Sequence, residues 1–320
     1  MRRLYGITGL PKIRSLGDLS AHTRISTLRL WRLIYKNEEA YSTFYLPKKS
    51  GGQRRISHPN SFLKRVQRWI LRNILERLHP AQSCYGFLPD SKLRTHAQQH
   101  VNSTAVLILD IENFFPSISI ARIVRVYKEA GYSATGAWIL ARLCTSNGTL
   151  PQGAPTSPQL ANLACHRLDR RLEEFAERRR LVYTRYADDL TFSGLSMSGL
   201  AKACSFITHM VKDSGFRLNN KKTRLVGPSG AKVVTGLVLA PGQVGVGRRR
   251  LRDLRARIHR AHLRSDEQAI SSLQGWLDYV SDVDPDRYRT LVAYVKRLSV
   301  RLAIPHKNTV LSRLRVRDVA

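Results

Sequence analysis

Acidic residues are scarce in this chain of 320 residues, with 23 Asp and Glu against 54 Lys and Arg and a formal net charge of +31. An excess of this size is informative about partners rather than about the fold. Nucleic acid is the favoured partner, because Lys and Arg that neutralise phosphates release bound counterions. An acidic membrane surface is the alternative.

Long apolar runs are also missing. No run approaches the roughly 20 residues that a membrane-spanning helix needs, and no amphipathic membrane anchor is evident. Residues 1–7 lack the apolar stretch of a secretory signal peptide. These absences predict a cytoplasmic protein with no membrane partner.

Paired cysteines are absent as well. The four cysteines are scattered without C-x-x-C spacing, which predicts reduced thiols in or near the core rather than zinc ligands or disulfides. The hydrophobic fraction of 42% is enough for a sizeable core, and the length predicts about two or three structural units.

Two adjacent acids, Asp188 and Asp189, follow a strand-like apolar run at residues 181–186, and a second strand-like piece at residues 190–193 comes next. This pattern predicts a β-hairpin with both carboxylates at its tip. Since neighbours on a regular strand point to opposite faces, a tight turn is what could bring both acids near one metal ion. Asp is common in turns, so a polar tip without chemistry is the alternative.

A third acid, Asp110, ends the fully apolar run at residues 105–109. Such a run is typical of a buried strand, here one that delivers a carboxylate to a site. Glu112 is a further carboxylate nearby, and we expect it to point away, either as a structural acid or as one that supports the metal ligands without binding the metal. Three prolines in residues 150–158 predict a loop.

Helical spacing of apolar residues predicts helices over several further segments. The predicted helices are 15–37, 61–78, 118–130, 134–145, 159–179, 198–214 and most of the last eighty residues. The predicted strands are 44–46, 54–57, 216–218, 223–227, 232–239 and 243–246.

Residues 248–264 contain eight arginines and a single acid, Asp253. Apolar residues in the same stretch fall on one helical face, so a solvated amphipathic helix is one interpretation. The nearly uncompensated charge favours contact with nucleic acid.

Asp110, the Gln152-Gly153 loop and the Asp188 hairpin, in that order, resemble the palm of a reverse transcriptase. The resemblance covers nearly the whole chain. Further segments resemble the two fingers motifs, motif D and the primer grip of that family; they are residues 48–56, 86–100, 218–223 and 234–237. The resemblance implies an α+β right-hand polymerase fold. It implies an N-terminal extension and fingers in residues 1–104 and an antiparallel-sheet palm in 105–240, with part of the fingers (about 117–150) inserted. It places a helical, RNA-binding thumb in 241–320.

Within that family, the chain resembles bacterial retron reverse transcriptases. Its length fits these compact enzymes, and Val234-Thr235-Gly236 matches their V-T-G segment. His96-Ala97-Gln98-Gln99-His100 resembles their N-A-x-x-H signature, but His96 stands where the family has Asn. Two histidines four residues apart could also indicate zinc, although no third ligand is apparent.

The resemblance implies two Mg²⁺ ions, which suit carboxylate oxygens and can activate the attacking oxygen and stabilise the leaving one. It implies that Asp110 and Asp188 ligate both ions, that Asp189 is more peripheral, and that the carbonyl of Ile111 is a backbone ligand.

The resemblance also assigns a nucleotide pocket. Arg54 would hold the incoming dNTP triphosphate with help from Lys48 or Lys49. Phe115 would pack under the deoxyribose and exclude a 2′-hydroxyl, or it belongs only to the core. Gln152 would contact the nucleotide. Lys222 is a candidate general acid, or a plain surface lysine. The expected nucleic-acid contacts are Arg248, Arg249, Arg252, Arg255, Thr235 and Gly236.

The implied function is RNA-directed DNA synthesis on a cognate structured non-coding RNA (msr-msd). Priming from a guanosine 2′-hydroxyl would give branched multicopy single-stranded DNA (msDNA). A separate retron effector protein would act with it in anti-phage defence, and host RNase H would remove the template. The alternatives are a group II intron-like reverse transcriptase and a non-catalytic RNA-binding scaffold; the intact Asp110, Asp188 and Asp189 argue against the scaffold.

Overall fold

The computed structural model describes residues 9–48, 51–89, 91–263 and 268–301. The helices of this part of the chain are α1 (Leu16–Thr23), α2 (Thr27–Tyr35), α3 (Ser61–Asn73), α4 (Leu93–Gln98), α5 (Ile120–Glu129), α6 (Ala134–Cys144), α7 (Ser157–Arg178), α8 (Met197–Asp213), α9 (Arg248–Leu263), α10 (Gln268–Val283) and α11 (Pro285–Arg301). Short 3₁₀ turns lie at Asn37–Ala40 and Leu75–Arg77.

The strands form three small sheets. They are β1 (Tyr41–Pro47), β2 (Gln53–Pro59), β3 (Ala105–Asp110), β4 (Val182–Tyr186), β5 (Asp189–Gly194), β6 (Arg224–Val226), β7 (Val233–Val234), β8 (Leu237–Ala240) and β9 (Gln243–Gly245). Strands β1 and β2 form an antiparallel pair, β4-β5-β3-β6 form the central sheet, and β7-β8-β9 form an antiparallel sheet. The predicted α+β class is confirmed.

The chain divides into two compact units. The first comprises the described residues of Met1–Pro89, Ile108–Thr191 and Ala201–Arg224. The second comprises those of Asp90–Leu107, Phe192–Leu200 and Leu225–Ala320. The candidate catalytic acids lie in the first unit, and the arginine-rich helix α9 lies in the second.

Strand β3 is buried at every residue, as its continuous apolar sequence predicted. Helix α7 begins with a proline in its first turn, where a missing N–H breaks no helical hydrogen bond. Among the polar residues on its buried face are Asn162 and Asp169, which lie among leucines and alanines. These two side chains enter the candidate site below.

The single helix predicted over residues 15–37 is wrong. Helix α1 ends at Thr23 because Arg24 adopts a left-handed backbone conformation with φ of 55°. The chain restarts as α2 only at Thr27. The strand predicted at 232–239 is likewise two strands, since Thr235 and Gly236 turn the chain with φ of 46° and 84°.

All four cysteines are free, and three of them are buried, in agreement with the predicted reduced thiols. None of the helices in the described ranges combines the length and the apolar content that a bilayer crossing requires.

Candidate active site

The predicted hairpin is confirmed, with β4 and β5 joined at Ala187 and Asp188. Ala187 takes a left-handed conformation, with φ of 55°, so the chain reverses over very few residues. Asp188 lies in the turn and Asp189 begins the next strand. The tip therefore carries two successive, partly buried carboxylates.

Main-chain hydrogen bonds bring the end of β3 to this hairpin. The Ile111 amide donates to the carbonyl of Asp188 at 2.9 Å. On the other side, the Asn219 amide donates to the carbonyl of Asp110 at 2.8 Å, and the Glu112 amide donates to Arg217 at 2.8 Å. Asp110 is thus held between the hairpin tip and the segment before β6, and none of these three bonds uses the Ile111 carbonyl.

Asp188 and Asp189 lie in an environment that disfavours their ionised forms. Burial raises the pKa of Asp188, and the negative charge of Asp110 adds to the effect. Burial and the charges of Asp188 and Asp110 raise the pKa of Asp189 to about 6. The Lys222 ammonium donates to Asp110 Oδ2 at 2.7 Å, and this bond raises the pKa of the lysine. Lys222 is half-exposed, and its ammonium is bonded to one of the candidate acids.

The donor set suits a hard divalent cation. Asp110 is 6% exposed and the two hairpin acids are partly buried, so a cation would relieve their mutual repulsion. Within the described ranges, no three His, Cys, Asp or Glu side chains form a complete metal cage. Mg²⁺ is commonly held by one or two carboxylates together with substrate phosphates and water, which matches a partial donor set.

A buried ion pair between helix α7 and strand β4 supports the hairpin. Arg185 and Asp169 are both fully buried and bonded at 2.7 Å and 2.8 Å. The Tyr183 hydroxyl also donates to Asp169, at 2.9 Å. The Arg185 guanidinium further donates to the Ala187 carbonyl at 3.1 Å and to Asn162 Oδ1 at 3.2 Å. One side chain thus links helix α7 to the residue that precedes Asp188.

The segment at Gly86 packs directly on the hairpin tip. A side chain at this position would collide with the amide nitrogen of Ala187, so only glycine allows the approach. The Asn162 side chain donates to the Gly86 carbonyl at 2.7 Å. The Arg185 amide donates to Ser83 at 2.7 Å, which fixes this segment beside β4.

The predicted triphosphate ligand, Arg54, lies on β2 with its side chain exposed. Burial raises the pKa of Asp188, and the positive charge of Arg54 is one of the influences that partly offset this rise. The loop with Gln152 is fixed to the same strand, because the Ser57 amide donates to the Gln152 carbonyl at 2.8 Å. Gly153, with φ of 124°, approaches so closely that an added Cβ would lie 2.9 Å from the Ser57 oxygen.

Phe115 is half-buried, and its ring centroid lies 5.5 Å from Phe114 and 6.0 Å from Phe87. Phe87 is 42% exposed, so the Phe87–Phe115 pair is open to solvent on one side rather than sealed in the core. Glu112 is exposed.

In the second unit, the two histidines are core residues. Burial lowers the pKa of His96 to about 4 and that of His100 to about 3, so both rings are neutral at pH 7. His96 Nδ1 lies 3.3 Å from the Thr235 hydroxyl, and His100 Nδ1 lies 2.7 Å from the Ser193 hydroxyl. His96 therefore links two of the segments that carried the retron resemblance.

The described arginines of α9 differ in exposure and in their contacts. Arg248, Arg249 and Arg252 are exposed. Arg255 is half-buried, with its guanidinium carbon 5.5 Å from the centre of the Tyr294 ring. Arg250 donates to the carbonyl of Gly236 at 2.7 Å. Arg264 lies outside the described residues.

Sequence reasoning missed the Arg185–Asp169 pair. The available signal was a base inside the apolar run before the hairpin and an acid on the apolar face of α7. Charges placed on buried faces are generally paired, so each predicts a partner. The sequence offered no distance constraint that joined these two residues to each other.

The chain resembles known polymerases in sequence. The family model described as "Reverse transcriptase (RNA-dependent DNA polymerase)" matches residues 46–239. Retron Ec86 reverse transcriptase of Escherichia coli is 38% identical over 292 residues, which cover 91% of this chain and 91% of that protein. Retron Mx65 reverse transcriptase of Myxococcus xanthus is 35% identical over 88% of this chain and 71% of that protein.

Proposed function

Because the chain belongs to the reverse transcriptase family, and to its retron type, we propose that its RNA-directed DNA polymerase activity copies a cognate structured non-coding RNA. Priming from a guanosine 2′-hydroxyl of that RNA gives branched msDNA. A separate effector protein acts with it in anti-phage defence, and host RNase H removes the copied template. The observation that carries this proposal is the similarity to a retron enzyme over 91% of both chains.

The proposed machinery is centred on Asp110 and Asp188. The amide of Ile111, the residue after Asp110, donates to the carbonyl of Asp188. These two carboxylates, with the Ile111 carbonyl and the more peripheral Asp189, would hold two Mg²⁺ ions. When bound, the ions supply activation of the attacking hydroxyl and stabilisation of the leaving oxygen. Reverse transcriptases generally use divalent ions, and the raised pKa of Asp188 and Asp189 is the local observation that supports a cation here.

The chain's own side chains position the substrate. Arg54 binds the triphosphate, which suits the fork geometry of a guanidinium. The bond to Asp110 keeps Lys222 protonated in the absence of substrate. When the nucleotide is bound, the Lys222 ammonium donates to its phosphates instead and protonates the pyrophosphate leaving group. Gln152 contacts the nucleotide from a loop pinned to the strand that bears Arg54. We propose that the fingers comprise residues 1–104, that the palm comprises residues 105–240 with the inserted part of the fingers (about 117–150), and that the thumb comprises residues 241–320.

The nucleic acid that copurifies with the protein tests the retron assignment. We expect an RNA–DNA hybrid whose DNA remains linked to RNA after denaturation and is released by a debranching enzyme. Purification with linear RNA alone, from cells that carry the flanking non-coding region, would contradict the branched product. Incorporation of labelled dNTP on a primed RNA template tests polymerase activity separately.

Phe115→Val should relax the selection of sugar. Removing the ring opens space for a ribose 2′-hydroxyl, so the preference for dNTP over rNTP is expected to fall about 10-fold or more. The measurement is kcat/KM for matched dNTP and rNTP on one primed template. Phe206→Val is the matched control, since Phe206 is 58% exposed and packs near Phe175. Unchanged discrimination would assign Phe115 to the core alone.

The exposed arginines of α9 are proposed to bind the phosphates of the cognate RNA. Replacing Arg248, Arg249 and Arg252 together by Gln keeps helix propensity and removes three charges. RNA affinity should fall, and the slope of log K against log salt should become shallower by roughly two to three.

The matched control removes three exposed charges elsewhere, at Arg178, Lys202 and Lys212. Its salt slope should stay close to that of the unmodified protein. If the two triple variants had the same RNA affinity and the same salt slope, α9 would be a solvated helix without a role in RNA binding.

A further inference from the structure

Helix α3 carries an unusual concentration of positive charge. Lys64, Arg65, Arg68 and Arg72 lie on its outer side, opposite the buried Leu63, Val66 and Ile70. The helix contains no acid, and none of the four cations forms an ion pair within the described ranges. They line a groove of about 570 Å³ together with Trp69. Like charges three and four residues apart destabilise a helix unless a counter-charge binds them.

An aromatic ledge lies on the neighbouring helices α2 and α6. Trp31 is 45% exposed, Tyr35 is 57% exposed and Trp138 is 38% exposed. Their rings follow one another, with centroids 4.8 Å apart for Trp31–Tyr35 and 6.0 Å apart for Tyr35–Trp138. Contiguous exposed aromatic rings are uncommon on soluble proteins and mark binding surfaces.

The helices that carry the groove and the ledge are packed together in the first unit. Helices α2 and α3 both pack against α6. The Arg29 guanidinium of α2 lies 4.9 Å above the Phe62 ring of α3. His22 of α1 stacks on Trp69 at 5.3 Å, which fixes that ring beside the groove. We call the ledge (Trp31, Tyr35, Trp138) and the groove (Lys64, Arg65, Arg68, Trp69, Arg72) together the N-terminal surface.

We propose that this surface binds an unpaired stretch of RNA, with its phosphates in the groove and its bases on the ledge. Cations without counter-charges fit a phosphate backbone, and rings open to solvent fit bases that have no pairing partner. Duplex RNA hides its base faces inside the stack, so it would use the groove and leave the ledge empty. None of these side chains is among those assigned to catalysis or to the thumb.

The inference rests on the proposed RNA substrate, and its test keeps the two apart. The full-length protein is first saturated with a chain-terminated RNA primer–template, so that the polymerase site is filled. A fluorescent oligouridine RNA of about 12 nucleotides is then titrated, and anisotropy gives its Kd. Arg65, Arg68 and Arg72 changed together to Gln should weaken binding at least about fivefold, and so should Trp31→Ala with Tyr35→Ala.

Tryptophan fluorescence locates the site. The chain has four tryptophans, and Trp31, Trp69 and Trp138 lie on this surface. Bound oligouridine should quench the protein's fluorescence, and Trp276→Phe should leave most of that quenching intact. Arg178, Lys202 and Lys212 changed to Gln are the charge-matched control and should bind oligouridine like the unmodified protein.

Three results would overturn the inference: no oligouridine binding once the polymerase site is filled, an aromatic variant that binds like the parent, or a blunt RNA duplex that quenches equally. Capture of an acidic peptide in place of RNA would assign the surface to a protein partner. In each variant, dNTP incorporation on saturating primer–template should be retained. If the unmodified protein had no polymerase activity on this primer–template, the proposed function itself would be contradicted.

Discussion

Asp188→Asn is expected to lower the rate of DNA synthesis at least about 100-fold while sparing the binding of RNA. The substitution keeps the volume of the side chain and removes the charge that a divalent ion requires. The rate of labelled dNTP incorporation on a primed RNA template and the Kd for the same template are the two measurements. A variant that retained more than a small percentage of the parent rate would contradict the assignment of Asp188.

The same variant should not lose stability. Burial and the charge of Asp110 raise the pKa of Asp188, so its ionised form is less favourable in the folded state than in the unfolded chain. In buffer without divalent ions, this carboxylate therefore opposes folding at pH 7, and its removal should leave the melting temperature unchanged or higher. An inactive variant with intact stability would show that the charge is kept for chemistry.

Two further substitutions calibrate the result. Asp189→Asn should reduce synthesis less than Asp188→Asn, because Asp189 is assigned a peripheral position. Glu112→Gln removes a charge two residues from Asp110, but its side chain is exposed, and we expect activity within about threefold of the parent. A larger loss at Glu112 than at Asp188 would place the metal-binding acids differently.

The hairpin and strand β3 were predictable because their sequence patterns are local. A short, fully apolar run ending in an acid is typical of a buried strand, and β3 is buried at every residue. The hydrophobic periodicity of a segment does not show which distant segment it lies beside. That information came from the order of the motifs, through the resemblance to reverse transcriptases. That is why Asp110 and Asp188 could be placed in one site before any distance between their segments was known.

The break after helix α1 could not be predicted in the same way. Arg24 ends the helix in a left-handed conformation, and an arginine gives no local signal for that conformation, as a glycine would. The predicted helix over 15–37 also hid which side faces solvent. Once α2 is a separate helix, Trp31 and Tyr35 are seen to be exposed while Leu30 and Ile34 are buried.

Arg255 shows a second limit of prediction from sequence, which concerns the availability of individual side chains. Composition grouped eight arginines in residues 248–264 as one basic stretch. Packing separates them, because Arg255 lies over Tyr294 and Arg250 bonds to Gly236, whereas Arg248 and Arg252 are exposed. Tertiary contacts decide which of several identical residues are available to a partner, and those contacts are not encoded in local spacing.

The buried pair Arg185–Asp169 gives the largest expected effect on stability. Both side chains are completely buried, so neither charge has water to stabilise it if the other is removed. Arg185 also donates to the carbonyl of Ala187 and to Asn162, and a Gly86 side chain could not be accommodated beside that tip. The pair therefore couples the core of the first unit to the residue before Asp188.

Asp169→Asn should lower the free energy of unfolding by about 3–5 kcal/mol, because it leaves the Arg185 guanidinium buried without a counter-charge. The amide oxygen can still accept from Tyr183, so the loss reports mainly on the charge. Chemical denaturation at pH 7 measures it, provided the transition is two-state. A DNA-synthesis defect measured well below the melting temperature would show that the hairpin tip has also moved.

The double variant Arg185→Met with Asp169→Asn separates stability from positioning. It removes both buried charges, so it should be more stable than Asp169→Asn alone, with a positive coupling in the double-mutant cycle. Its hairpin still lacks the bond from Arg185 to Ala187, so DNA synthesis should stay impaired while template affinity is kept.

The control is Asp213→Asn, which breaks the half-exposed Arg171–Asp213 pair of 3.4 Å and should change stability by no more than about 1 kcal/mol. If Asp169→Asn were as mild as this control, the buried pair would not be what holds the tip. If the double variant were fully active, Arg185 would matter for stability alone.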